Sequence, residues 1–101
     1  MTDKWILKGH EPVPCGDLMA WARWFETADR TVAQDKIGDV RVSTVFLGLS
    51  HAFSEPERLL LFETMIFGGK HDEYQTRCST WGGAEEMHKA ALDLVRASTT
   101  P

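Results

Sequence analysis

The sequence predicts an α+β fold, with a small antiparallel sheet of three to four strands and two helices packed on one face of that sheet. Two stretches of the chain carry apolar residues at helical spacing, and the three stretches between them are rich in β-branched and aromatic residues. The predicted order is helix, strand, strand, strand, helix, with room for a short leading strand. Helices on one side of an antiparallel sheet are the packing that suits this order.

The N-terminal part of the chain predicts the first helix. Residues 4–8 can form the short leading strand, and Pro12 and Pro14 keep the segment after it extended, because each proline disfavours helix at the residue before it. Asp17 is a good N-cap, and apolar residues recur after it at i, i+3, i+4 and i+7. We therefore predict a helix over residues 17–28.

The middle of the chain predicts three strands. They are assigned to residues 31–36, 40–49 and 59–67. The first two flank a short turn at Gly38, so they should form an antiparallel hairpin. Residues 50–58 are polar and predict a loop, and residues 70–79 are expected to be irregular.

The C-terminal part predicts the second helix, over residues 81–96. Thr80 can cap it, and apolar residues follow at the 3.6-residue period. Residues 97–101 are expected to form a frayed tail. The length of 101 residues is that of one domain, and the sequence shows no linker or internal repeat.

Composition excludes several classes of protein. Eleven Lys and Arg stand against fifteen Asp and Glu, and no basic stripe is visible, which argues against nucleic-acid binding. The longest apolar run is far shorter than the roughly 20 residues that cross a membrane, and no signal-peptide pattern opens the chain. Cys15 and Cys78 are expected to be free thiols in a reducing cytoplasm.

The predicted sheet carries more apolar surface than two helices can cover. Alternate residues of a strand point to opposite faces, and both faces of the third strand are apolar apart from Glu63. The N-terminal segment, with Trp5 and Ile6, and the loop at residues 50–58 could cover the second face. The alternative is an exposed apolar patch that binds another chain, of which self-association is the simplest case.

A few residues stand out as candidates for binding. A buried Glu63 needs a partner, because an unpaired buried carboxylate is costly, and Arg41 on the neighbouring strand or His51 at its exit could provide one. A structural ion pair or hydrogen bond is the ordinary interpretation, and acid–base chemistry by Glu63 and His51 is the functional one. Trp81, in the first turn of the last helix, is either a core residue or an interface anchor. The candidate binding residues are Arg41, His51, Glu63, Met65, Phe67 and Trp81.

No motif for catalysis or metal binding accompanies these residues. His and Cys residues lack the close spacing of zinc ligands, apart from Cys15 five residues after His10. Gly68-Gly69-Lys70 lacks the rest of a phosphate loop. His88, on the apolar side of the last helix, is expected to be a hydrogen-bonded core residue. We expect no metal and no cofactor, and a role without catalysis is favoured.

Three segments resemble a known family. They are VSTVFLGLSH at 42–51, LFETMIFGG at 61–69, and STW at 79–81 followed by His88. The chain resembles, over most of residues 5–96, a family of small proteins encoded by tailed bacteriophages and prophages and generally described only as hypothetical. It departs from the family pattern at Ser50, where the family has Asp, and at Gly82-Gly83, where the family often has acidic residues. The resemblance implies an accessory protein of a phage, acting in the cytoplasm of the bacterial host, and it implies no activity.

The sequence therefore favours a non-enzymatic interaction module that binds a host or phage protein, as an inhibitor in host takeover or anti-defence. A homodimer is one form that such a module could take. The alternative is a small-molecule or nucleotide-binding protein, or a minimal enzyme, that uses Glu63 and His51 with Trp81 nearby.

Overall fold

The computed structural model describes residues 3–50 and 59–99 and confirms the α+β class. The elements are β1 (Trp5–Lys8), β2 (Glu11–Pro14), α1 (Leu18–Thr27), β3 (Thr31–Ile37), β4 (Val40–Phe46), β5 (Phe62–Phe67), β6 (Gln75–Cys78) and α2 (Trp81–Thr99). They form a four-stranded antiparallel sheet in the order β3-β4-β5-β6, and a separate two-stranded sheet of β1 and β2.

The hairpin of β3 and β4 forms as predicted. Its turn has two residues and begins at Gly38, whose φ of 59° lies in the left-handed region. Glycine at the first position suits a type II′ turn, whose twist matches that of the flanking strands. Strand β5 then pairs with β4 in continuous register, from Arg41 opposite Phe67 to Phe46 opposite Phe62.

Strand β6 corrects the prediction that residues 70–79 are irregular. Gln75–Cys78 pairs with β5, with Arg77 opposite Glu63 and Gln75 opposite Met65. The four residues are too short and too polar to show a strand period. They are extended because the free edge of β5 offers them backbone hydrogen-bonding partners.

Several element ends also differ from the predicted ones. Strand β4 ends at Phe46 instead of residue 49, because Gly48 adopts a φ of 78° and leaves the extended region. Strand β5 begins at Phe62, three residues after the predicted start. Helix α2 runs to Thr99, so the helix continues into the segment predicted to fray. Most of the predicted loop at 50–58 lies outside the described residues.

The β1–β2 hairpin adds a strand that the sequence analysis described only as an extended path. The backbone N–H of Trp5 donates to the carbonyl of Gly48 at 2.9 Å, which attaches the hairpin beyond the end of β4. The indole N–H of Trp21 on α1 donates to the carbonyls of Trp5 and Gly48, at 3.2 and 3.0 Å. The hairpin and α1 are therefore fastened to the same point of the chain.

The two helices differ in how they meet the four-stranded sheet. Helix α2 packs along all four of its strands. Helix α1, capped by Asp17 as predicted, has no fully buried side chain and packs mainly against β1. It reaches the sheet at one end, where Trp24 meets Phe46 edge-on with ring centroids 5.8 Å apart. The sequence predicts two helices on one face of the sheet. Helix α2 covers that face, whereas α1 reaches it only at one end.

The core lies between α2 and the sheet, in two clusters. The fully buried members are Val42, Ile66, Ala91 and Val95 in one cluster, and Phe46, Leu61, Phe62 and Ala84 in the other. Burial of each large side chain contributes about 1.5–3 kcal/mol relative to leaving it in water. The alanines of α2 let the helix backbone come close to the strands.

A chain of hydrogen bonds runs through this core. The Nε2 of His88 lies 2.7 Å from Oδ2 of Asp35, and its Nδ1 lies 2.8 Å from the hydroxyl of Thr44. The Thr44 hydroxyl in turn lies 2.5 Å from that of Thr64. Since a carboxylate only accepts, Nε2–H donates to Asp35. His88 is only 4% exposed, which confirms the prediction of a hydrogen-bonded core histidine.

Replacement of Thr44 by Val should destabilise the fold by about 1–3 kcal/mol, because it leaves buried polar groups of His88 and Thr64 without their partner. The matched control is Thr76→Val. Thr76 lies opposite Thr64 in the same row of the sheet, and its buried hydroxyl has no partner among the described residues. The control should therefore be neutral or stabilising. Urea unfolding followed by circular dichroism measures both, and equal losses would contradict the assigned role of the hydrogen-bond chain.

Candidate functional site

The four-stranded sheet has one face under α2 and a second face, which we call the open face. No other helix or strand in the part of the chain that the structure describes packs across this second face. Residues directly opposite in register point to the same side of a sheet. The open face is formed by Gln34, Lys36, Arg41, Ser43, Val45, Glu63, Met65, Phe67, Gln75 and Arg77.

The middle of the open face is apolar. Val45 and Met65 are half-buried between their neighbours, and the side chain of Phe67 is 37% exposed. Met65 lies opposite Ser43, which has a small side chain. The apolar surplus that the sequence predicts on the third strand is thus present on the side that α2 does not cover.

Glu63 is held by two donors from β6. Arg77 donates from Nε and Gln75 from Nε2 to the same carboxylate oxygen, at 2.9 and 2.6 Å. The side chain of Glu63 is 13% exposed. A structural ion pair was predicted for Glu63, with Arg41 or His51 as its partner. The structure pairs Glu63 with Arg77 and places Arg41 opposite Phe67, and His51 lies outside the described residues. The true partners lie on a strand without a sequence signal, which is why Arg77 and Gln75 were missed.

Arg41 and Phe67 are brought together at the turn end of the open face. The guanidinium carbon of Arg41 lies over the Phe67 ring, 4.4 Å from its centroid, and the two residues are opposite in register. A cation over an aromatic face is attracted by the ring quadrupole. Lys36, which was not among the predicted residues, lies opposite Arg41 on the other side. Arg41, Glu63, Met65 and Phe67 therefore share one surface.

Trp81 lies apart from that surface. Its ring stacks on that of His10 with centroids 3.7 Å apart, and Phe62 meets it edge-on at 6.2 Å. It lines a cleft of about 650 Å³ between the β1–β2 hairpin and the start of α2, together with Trp5. His51, the remaining predicted residue, lies outside the described residues.

The described residues show neither a metal-binding cluster nor a membrane-spanning helix. Within residues 3–50 and 59–99, no three His, Cys, Asp or Glu side chains are grouped so that they could hold a metal ion. In the same residues, neither helix combines the length and the apolar character that a membrane span requires.

Fold and surface together define an α+β protein whose four-stranded antiparallel sheet is covered by one long helix on one side, while no other described helix or strand packs across its second side. No protein-family model matches the chain, and neither the curated proteins nor the solved structures provide a significant match. Function is therefore argued from the chain's own residues.

Cys78 is the last residue of β6 and a free thiol. It is half-buried, with its sulfur donating to the Thr80 carbonyl at 3.4 Å beside Gly83 of α2. Burial raises the pKa of the Cys78 thiol.

Because a raised pKa lowers the thiolate fraction at any pH below it, Cys78 should react more slowly with iodoacetamide at neutral pH in the folded chain than in urea. The measurement is a labelling time course in a Cys15→Ser variant, quantified by mass spectrometry. Equal rates in the folded and unfolded states would contradict the protected environment of the thiol.

Proposed function

We propose that this protein is a phage accessory protein that acts in the host cytoplasm by binding another protein through the open face. It is a non-enzymatic interaction module, and its target is a host or phage protein whose inhibition serves host takeover or anti-defence. One observation carries the proposal: Arg41, Glu63, Met65 and Phe67 share a surface that no other described element covers.

The composition of the open face supports binding to a protein. Methionine adapts its shape to an irregular partner surface, and aromatic and arginine side chains are enriched among the residues that dominate binding energy. Met65 and Phe67 lie on one strand, with Arg41 beside Phe67. A contiguous patch of this kind, bordered by polar residues, is typical of an interaction site.

The environment of the ionisable groups supports binding over catalysis. Glu63 already accepts two hydrogen bonds on one oxygen and is largely buried, so its carboxylate has a structural role on the face. Asp35, His88 and Thr44 contact one another in the order carboxylate, imidazole, hydroxyl, which is the order found in catalytic triads. The hydroxyl of Thr44, however, is fully buried beneath α2, where no substrate reaches it.

The alternative is a small-molecule or nucleotide site, or a minimal enzyme, that uses Glu63 and His51 with Trp81 nearby, and the separate positions of Glu63 and Trp81 support it less well. Glu63 contacts Gln75 and Arg77 on the open face, whereas Trp81 contacts His10 and Phe62 at the cleft. The two side chains thus have separate sets of partners.

Substitution of Met65 by Glu should weaken binding at the open face, since it places a charge in the apolar centre of that face. The matched control is Met19→Glu, which adds the same charge at a methionine that is 63% exposed on α1. The protein captured from a host lysate by the unaltered chain is purified, and its dissociation constant is measured for all three chains by calorimetry. We expect a loss of at least about 2 kcal/mol for Met65→Glu, the size of a hot-spot effect.

The control should bind as tightly as the unaltered chain, and circular dichroism should show that all three chains are folded. Equal binding by Met65→Glu and Met19→Glu would contradict the proposal that the partner binds at the open face.

A further inference from the structure

We infer that the partner presents an acidic protein surface to the open face, with carboxylates interleaved among apolar side chains. This inference rests on the proposed function, because it names the chemistry of the partner at the same surface.

The charge of the open face is opposite to that of the chain. The face carries Lys36, Arg41 and Arg77 against Glu63 as its one carboxylate, whereas the whole chain has a net charge of −4. Arg77 and Glu63 neutralise each other through their 2.9 Å contact. The remaining charge is therefore two cations, Lys36 and Arg41.

These two cations are an unusual pair. They lie directly opposite each other on β3 and β4, and like charges in that position destabilise a sheet. No carboxylate of the described residues forms an ion pair with either of them. Like charges at opposite positions repel, and one carboxylate placed between the two side chains would relieve that repulsion.

The position of the pair also sets the pattern of the partner. Arg41 is two residues from Ser43, which is opposite Met65, so the cations lie about 7 Å along the strands from the apolar centre. An extended segment presents alternate residues at about that spacing. A partner with a carboxylate at one position and an apolar side chain two residues on would meet both features.

Two other occupants fit less well. A symmetric contact between two copies would place the net positive face on itself. A single-stranded nucleic acid needs free aromatic faces on which bases stack, and the Phe67 ring is already covered by Arg41. The interleaved acidic and apolar protein segment matches both the charge and the apolar centre.

The test uses a short labelled peptide that alternates Glu with Leu, its Gln-for-Glu analogue, and an oligothymidylate, with binding followed by fluorescence polarisation. The proteins are the unaltered chain, Lys36→Glu and the matched control Lys89→Glu, whose side chain is 71% exposed on α2. Lys36→Glu supplies Arg41 with a carboxylate from the same sheet, so it should raise the urea midpoint of the protein. The same substitution should weaken the binding of the acidic peptide by about tenfold or more. Opposite changes of stability and binding separate this effect from unfolding.

The acidic peptide should bind the unaltered chain and Lys89→Glu equally, and more weakly as salt rises from about 0.05 to about 0.5 M. Equal affinity for the Gln analogue, tighter binding of the oligothymidylate, or a dimer in sedimentation that Lys36→Glu alters would each overturn the inference. If the captured partner depends on Met65 but not on Lys36, the inference fails and the proposed function stands. If the captured partner is indifferent to Met65→Glu, the proposed function itself fails.

Discussion

The hydrogen bonds that run from Asp35, on the edge strand β3, through the buried His88 and Thr44 to Thr64 fix the position of α2 on the sheet. They join the helix to three adjacent strands in the middle of an otherwise apolar interface. A buried polar group is costly unless it is hydrogen-bonded. Sliding or rotation of α2 would break these hydrogen bonds and is therefore unfavourable. Apolar packing alone would tolerate several positions of α2, and this network selects one of them.

The open face follows from that choice together with the position of α1. The indole of Trp21 binds carbonyls of Trp5 and Gly48, which commits α1 to the hairpin beyond the end of β4. Since α2 is fixed on one face and α1 is fixed at the end, the described chain has no third helix to place on the second face. The apolar residues of β5 that point away from α2 therefore stay uncovered by its own helices.

Most of the central fold could be predicted from the sequence because alternation in β4 and β5 is regular. Alternation along β4 places Val42, Thr44 and Phe46 on one face, and the structure buries all three. Helical spacing likewise located both helices. The long strands and helices carry many residues of one period, which makes their signal strong.

The candidate site could be predicted only in part, for a physical reason. Met65, Phe67 and Arg41 follow from the alternation of β4 and β5. The partners of Glu63 do not, because they lie on β6, a four-residue polar strand whose shape comes from pairing and not from its own pattern. Lys36 was missed because a lysine on an edge strand is usually an ordinary solvent-exposed residue. Its position opposite Arg41 is known only once the register of β3 and β4 is known.

On the open face, Glu63 is paired with an arginine, whereas Lys36 and Arg41 have no carboxylate partner among the described residues. This difference explains how the face can distinguish acidic from neutral partners. Glu63 already accepts hydrogen bonds from Arg77 and Gln75 on one carboxylate oxygen, so its charge is paired before a partner binds. Lys36 has no such partner among the described residues, and Arg41 has only the ring of Phe67. A neutral apolar partner would remove water from both cations without providing hydrogen bonds or opposite charge, which is unfavourable. An acidic partner gains the attraction and also removes the repulsion, so the same pair of side chains rejects one class of surface and favours the other.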